Sequence, residues 1–237
     1  MQGFAAIFPL ENLYPDGGGD GSQGFVLAGI GRYDESGNAV SAAGDVNGDG
    51  IHDLIVGARG ADSGGAEDAG ESYVVFGSTQ AFPAIVPLVS LFPPDGDGSR
   101  GFVLAGIDVG DQSGFSVSAA GDVNSDGIDD VIVGALSADP GGNTSAGESY
   151  VVFGSTQGFP AVVPLGSLYP PGGGDGSRGF VLTGIREGDT SGSSVSAARD
   201  VNGDGIADLL IGAPNADLGG EANVGESYVV FGRAAAP

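Results

Sequence analysis

Three tandem copies of a four-stranded module predict an all-β fold of β-propeller blades, three blades of about 77 residues in a chain of 237. Three observations carry this. The first is a shared period. GFVLAGI at 24–30 returns at 101–107 and, as GFVLTGI, at 179–185; DVNGDGIHD at 45–53 returns as DVNSDGIDD at 122–130 and DVNGDGIAD at 200–208. GESYVVFG stands at 70–77, 147–154 and 225–232, with the same spacings of 77 and then 78 residues. Independent segments sharing one period mark a repeat architecture. The second is composition: 48 Gly and 13 Pro call for many turns and short strands. Val, Ile, Leu and Phe, at roughly a quarter of the chain, lift it out of the disordered range. The third is that no segment carries a capped helical periodicity.

Within each copy the strands follow in order. The first (36–45, 113–122, 191–200) is rich in Ser and Ala around Val40, Val117 and Val195, as an innermost strand crowded near a ring axis requires. The second (DLIVGA at 53–58, DVIVGA at 130–135, DLLIGA at 208–213) is continuously apolar and is expected to be buried on both faces. ESYVVFG is the third and GFVLAGI the fourth, both rich in β-branched and aromatic residues. Between third and fourth, 82–91 (159–168 in the next copy) is an added extended segment, with either strand or a helical turn open at 88–91. The modules run near 2–79, 80–156 and 157–234 of a single propeller-type domain.

Between the first and second strands each copy carries D-x-N-x-D-G-x-x-D. Side-chain oxygens at positions 1, 3 and 5, a Gly at 6 that permits the sharp reversal, and the carbonyl of position 7 suit a loop that wraps one hard cation. The candidate ligands are Asp45, Asn47, Asp49, Ile51 and Asp53; Asp122, Asn124, Asp126, Ile128 and Asp130; and Asp200, Asn202, Asp204, Ile206 and Asp208. The pattern is that of an EF-hand loop as far as position 7. Position 12 is Val56, Val133 or Ile211 rather than a bidentate Glu, and the Asp at position 9 is expected to take its place. All-oxygen ligands point to Ca²⁺, three ions per chain, and the lack of thiolate and imidazole argues against zinc. Position 8 varies (His52, Asp129, Ala207), so the single histidine reads as an exposed loop residue. The acidic Gly loops at 16–22, 95–99 and 175–177 read as ordinary flexible loops, with a weak second cation site as the alternative.

The stretch SGFSVSAAGDVNSDGIDDVIVGA at 113–135 resembles the FG-GAP repeat of integrin α-subunit propellers and their bacterial relatives. Gly57–Ala58, Gly134–Ala135 and Gly212–Ala213 match the GA of that name, and Pro214 completes GAP in the third copy. Gly37, Gly114 and Gly192 keep the Gly of FG, with Ser36, Ser113 and Ser191 in place of its Phe. The resemblance implies a propeller binding Ca²⁺ between blade strands one and two, and an extracellular or cell-surface setting in bacteria, where such repeats often form longer arrays.

Charge and composition exclude several functions. Thirty-one acids against seven bases, all Arg, give −24, a surface that repels nucleic acid and anionic membrane. No apolar run approaches a membrane span, and the opening residues lack the basic start of a signal peptide. With no Cys, no Lys, one His and no G-x-S-x-G elbow, the chain is not expected to be an enzyme. Gln2 aligns with Gln80 and Gln157, and Gly232 with Gly77 and Gly154, so the chain starts and stops in one phase. A fourth strand at 24–30 then lacks its third strand, and the third strand at 226–232 lacks its fourth. Strand exchange in a head-to-tail homodimer, a six-bladed ring, would satisfy both edges; three blades closing alone, or a piece of a longer array, are the alternatives. The loops at 31–38, 59–70, 108–115, 136–147, 186–193 and 214–225 vary most, which reads as relaxed constraint or, alternatively, as a face for a protein or glycan ligand. The expected function is a calcium-binding scaffold for extracellular protein binding or adhesion. The alternative is a carbohydrate-binding propeller or an accessory module of a secreted enzyme, which the two aromatics of those loops, Tyr33 and Phe115, do little to favour.

Overall fold

The structure, a computed structural model, describes residues 6–234; Gln2, used above to set the phase, lies outside them. The chain is all-β, with short 3₁₀ turns as its only helical elements among the described residues. It opens with β1 (Val26–Ala28), then the first blade's β2 (Ala39–Gly44), β3 (Asp53–Ala58) and β4 (Glu71–Val75). The added segment supplies β5 (Ile85–Pro87), followed by β6 (Gly101–Ala105). Next come β7 (Ser116–Gly121), β8 (Asp130–Ala135), β9 (Glu148–Val152), β10 (Val162–Pro164) and β11 (Gly179–Thr183), and last β12 (Ser194–Arg199), β13 (Asp208–Ala213) and β14 (Glu226–Val230).

The sheets are propeller blades. Blade one orders β2-β3-β4-β6 antiparallel, with β10 added in parallel outside β6; blade two orders β7-β8-β9-β11; blade three is β12-β13-β14. β1 pairs in parallel with β5 in a separate two-stranded sheet. The added segment is therefore both things the sequence left open: a three-residue strand on the rim, then a 3₁₀ turn (Leu88–Leu91, Leu165–Leu168). The 3₁₀ turn drives two leucines into the core each time, Leu88 with Leu91 and Leu165 with Leu168. The innermost strands begin three residues later than their Ser-Ala composition suggests, because 36–38, 113–115 and 191–193 form the turn into the blade.

Two apolar layers hold the blades face to face. Between blades one and two, Ile55, Val74 and Phe76 pack with Val117, Val131 and Val133. Between blades two and three, Ile132 and Val151 pack with Leu209 and Ile211. The GA and FG elements meet across these seams. A Cβ on Gly57 would lie 2.1 Å from the Gly114 carbonyl oxygen, and one on Gly134 2.0 Å from that of Gly192. Neither Gly57 nor Gly134 needs a positive φ; the adjoining backbone leaves no room for a methyl group. Gly134→Ala is accordingly expected to destabilise the fold by about 1–3 kcal/mol through overpacking at the second seam. Urea unfolding monitored by circular dichroism measures it.

Candidate metal centre

Each candidate loop leaves its inner strand through a bulge, where the register shifts between Ala42 and Gly44, between Ala119 and Gly121, and between Ala197 and Arg199. The chain then doubles back through Gly50 at φ +86°, a conformation that L side chains rarely adopt. Inside the first loop the side-chain oxygens converge. The Asp49 N–H donates to both Asp45 Oδ1 (3.0 Å) and Asn47 Oδ1 (2.8 Å), and the Gly50 N–H to Asp45 Oδ2 (2.8 Å). Asp49 Oδ1 accepts from the Ile51 N–H at 2.8 Å. Asp122, Asn124, Asp126 and Ile128 repeat this arrangement, as do Asp200, Asn202, Asp204 and Ile206.

The ninth-position aspartate is held differently. Asp53, Asp130 and Asp208 are fully buried. Asp53 accepts the Val46 N–H (2.9 Å) on one oxygen and the Gly77 N–H (2.8 Å) on the other. Asp130 does the same with Val123 and Gly154, and Asp208 with Val201 and Gly232. This carboxylate thus ties the loop to the far end of the third strand. Burial pushes Asp130 up to about 7 against the pull of its two N–H donors, and Asp53 moves in the same direction for the same reason. Among the described residues no three His, Cys, Asp or Glu side chains form a metal-holding group. The third ligand position is an amide, and the ninth carboxylate is drawn into the core.

The remaining donors suit a hard cation, because the oxygens of positions 1 and 3 already meet at one N–H and every donor is oxygen. Asp45, Asn47, Asp49 and the Ile51 carbonyl, with their counterparts in the other repeats, are the groups that would hold Ca²⁺. Asp53, Asp130 and Asp208 would reach it only by sharing oxygens that already accept backbone hydrogen bonds.

Position 8 is not a free position. The Asp129 carboxylate accepts the Asp45 N–H at 2.9 Å and the Asp129 N–H donates to the Asp45 carbonyl, so the second loop clasps the first. Ala207 N–H donates to the Asp122 carbonyl in the same way. The residue type varies because mainly its backbone carries the contact. His52 is exposed. The acidic Gly loops are turns: Asp20, Asp97 and Asp175 each accept the N–H two residues on.

At the opposite end of the blades lies a buried acidic group, Asp111 from a loop and Glu148 from the start of β9, whose residue types recur at the repeat spacing as Asp34 with Glu71 and Asp189 with Glu226. Glu148 accepts hydrogen bonds from the hydroxyls of Tyr150 (2.6 Å) and Tyr169. Burial pushes nearby Asp111 up to about 6 against its bond from the Asp108 N–H, and the charges of Asp108, Glu148 and Asp139 add to the rise. A raised carboxyl favours the folded state when protonated. Its contribution is full below the unfolded value of about 3.9 and is lost as pH rises through about 6. Asp111→Asn is therefore expected to flatten the stability change between those limits, read as Tm against pH. A separate expectation distinguishes the two kinds of loop aspartate. Asp130→Ala orphans two backbone N–H groups and costs about 2–5 kcal/mol with or without Ca²⁺, whereas Asp126→Ala changes stability chiefly when Ca²⁺ is present. Chemical denaturation in calcium and in chelator checks both.

The FG-GAP repeat family model matches residues 36–75, 113–152 and 191–230, the first three strands of each blade. Phosphatidylinositol-glycan-specific phospholipase D of Bos taurus is 32% identical over 189 residues, covering 80% of this chain and 20% of that protein. Integrin alpha pat-2 of Caenorhabditis elegans is 33% identical over 185 residues, covering 75% and 13%. Human integrin alpha-IIb is 28% identical over 179 residues, covering 73% and 14%. The chain thus spans a fifth or less of the length of these curated relatives.

Proposed function

Because this chain belongs to the FG-GAP repeat family, we propose that it is a non-catalytic, calcium-binding propeller module acting as an extracellular or cell-surface scaffold for protein binding or adhesion, in a bacterial setting. The observation that carries this reading is the set of converging oxygens in three successive loops, each clasped to the next by position 8. One Ca²⁺ per loop would bring the net charge from −24 to about −18 and relieve repulsion among carboxylates crowded along one end of the blades.

The opposite end presents the variable loops, and these are ordered. Gly110, Gln112 and Ser113 donate backbone hydrogen bonds to Glu67, Asp68 and Ala69, and Gly188, Thr190 and Ser191 to Thr144, Ser145 and Ala146. A protein ligand would find a fixed surface there. An arginine stands at each of the two loop aromatics: the Arg32 guanidinium lies 4.9 Å from the Tyr33 ring centre and that of Arg59 5.4 Å from Phe115, while Tyr33 remains 74% exposed. No helix among the described residues is long and apolar enough to cross a membrane.

A second reading, an accessory module of a secreted enzyme, is favoured by the phospholipase D relatives, in which the matching region is a fifth of the protein. A glycan array probed with the calcium-loaded chain separates the two: binding to a defined sugar supports the accessory reading, and none supports the protein scaffold. For the calcium claim, Ca²⁺ at a hundredfold excess over its dissociation constant is expected to raise Tm by about 5–10 °C for each ion bound. Excess chelator should return it, and a melt indifferent to both contradicts the calcium reading.

A further inference from the structure

We propose that the seam between blades one and two carries a proton-operated catch at its variable-loop end: a proton on Asp111 holds loop 108–113 down on loop 67–69 of blade one, and loss of that proton loosens the contact. Asp111 stands in the middle of the contact it would govern. On either side of it the backbone is laddered to blade one. The Gly110 N–H donates to the Glu67 carbonyl (2.9 Å), that of Gln112 to Asp68 (3.1 Å) and that of Ser113 to Ala69 (2.9 Å). The Asp111 carbonyl itself accepts the Ser137 N–H at 3.3 Å. One residue thus joins two loops of blade two while its neighbours hold blade one.

Beneath the loop, acid lies against acid. Asp111 and Glu148, at the head of β9, are both buried. The two Glu148 oxygens accept the neutral hydroxyls of Tyr150 and Tyr169, and burial together with the Glu148 charge pushes both hydroxyls far up, so neither tyrosine ionises near neutral pH. The charges that bear on Asp111 all belong to acids: Asp108 of its own loop, Glu148 of β9 and Asp139 of the loop after β8. From blade one, Glu67 and Asp68 face the loop with their carbonyls and are themselves exposed acids. The ion pair of Arg59 with Glu35 involves none of these groups. Asp111 accepts one long hydrogen bond, from the Asp108 N–H at 3.3 Å. A carboxylate buried in this company is costly to keep charged. Taking up a proton relieves it, and so does lifting the loop into water.

The contact is also held under strain. Gln112 at φ +57° and Asp68 at φ +50° are non-glycine residues in the left-handed region, and they are the two ends of the middle rung. Such conformations persist only where the surroundings over-determine them. The next seam supplies the comparison. Gly188, Thr190 and Ser191 make the same three rungs to Thr144, Ser145 and Ala146, with Thr190 at φ +54° and Ser145 at +50°. Asp189, also buried, takes the place of Asp111. There, however, Arg186 stands at the position of Asp108, and Thr144 and Ser145 at those of Glu67 and Asp68. The Arg186 guanidinium donates to the Asp217 carbonyl at 2.9 Å. One backbone frame therefore carries a cation and two hydroxyls where the other carries three carboxylates.

The direction follows from Asp111, which burial pushes up to about 6. With the loop lifted, an aspartate returns to about 3.9. The proton accordingly favours the docked loop. Its contribution is full below about 3.9 and is lost as pH rises through about 6, a difference worth ~100-fold in the docking equilibrium. Resting on the reading of this end as a ligand face, the consequence is a face held in one shape in acid and released at neutral pH. Amide hydrogen exchange of the whole chain, corrected for intrinsic exchange at each pH, needs no ligand and so tests the catch apart from that reading. Protection of the Gly110, Gln112 and Ser113 N–H groups is expected to fall tenfold or more between about pH 4.5 and 7.5, and that of Gly188, Thr190 and Ser191 less than twofold. Asp108→Arg, the residue that the next seam carries at this position, should shrink the fall at 110–113 to a few-fold. Asp111→Asn keeps an oxygen for the Asp108 N–H and should abolish the fall with the circular dichroism of the parent retained. Equal falls at both seams, no fall at 110–113, or a fall that persists in Asp111→Asn overturns the proposal.

Discussion

The arrangement rests on one buried carboxylate per blade. Asp53, Asp130 and Asp208 each accept two backbone N–H groups, one from the start of the loop and one from the end of the third strand. That grip closes the hairpin between the first and second strands and fastens it to the third. The loop is thereby presented in one shape, with its short polar side chains folded inward. A carboxylate with no exposure is costly to keep charged unless it is hydrogen-bonded, and both oxygens here are.

Loop shape then governs how blades meet. Since the grip sets where position 8 projects, Asp129 reaches back to Asp45 and Ala207 to Asp122, and successive loops become a chain of clasps along one end. At the other end the seam is set by Gly57 and Gly134, whose missing side chains let the neighbouring backbone carbonyl come close. Between those ends the faces fill with Val, Ile and Leu. Polar clasps at one rim, glycine contacts near the other and an apolar layer between them make each seam a repeatable unit.

The period, the strand order and the loop were legible in the sequence because each is local: GFVLAGI, ESYVVFG and D-x-N-x-D-G-x-x-D can be recognised one repeat at a time. What escaped is what lies between repeats. Position 8 varies in side chain while its backbone N–H, at Asp129 and Ala207, reaches the first residue of the preceding loop. That the ninth aspartate also accepts the Val46 and Gly77 N–H groups is not visible in spacing alone. The parallel rim strands Ile85–Pro87 and Val162–Pro164 pair with segments one repeat earlier, a relation invisible in a three-residue run containing proline. Asp111 and Glu148 each recur at the repeat spacing, but one stands on a loop and the other at the head of ESYVVFG, and only the fold brings the two positions together.

The calcium reading makes the loops the centre of the account, and equilibrium titration of the chelator-stripped chain with Ca²⁺ in a calorimeter addresses it most directly. The account predicts three ions bound per chain, falling to two in Asp126→Ala, whose grip through Asp130 is intact. A titration with no saturable binding, or one unchanged by Asp126→Ala, would contradict it.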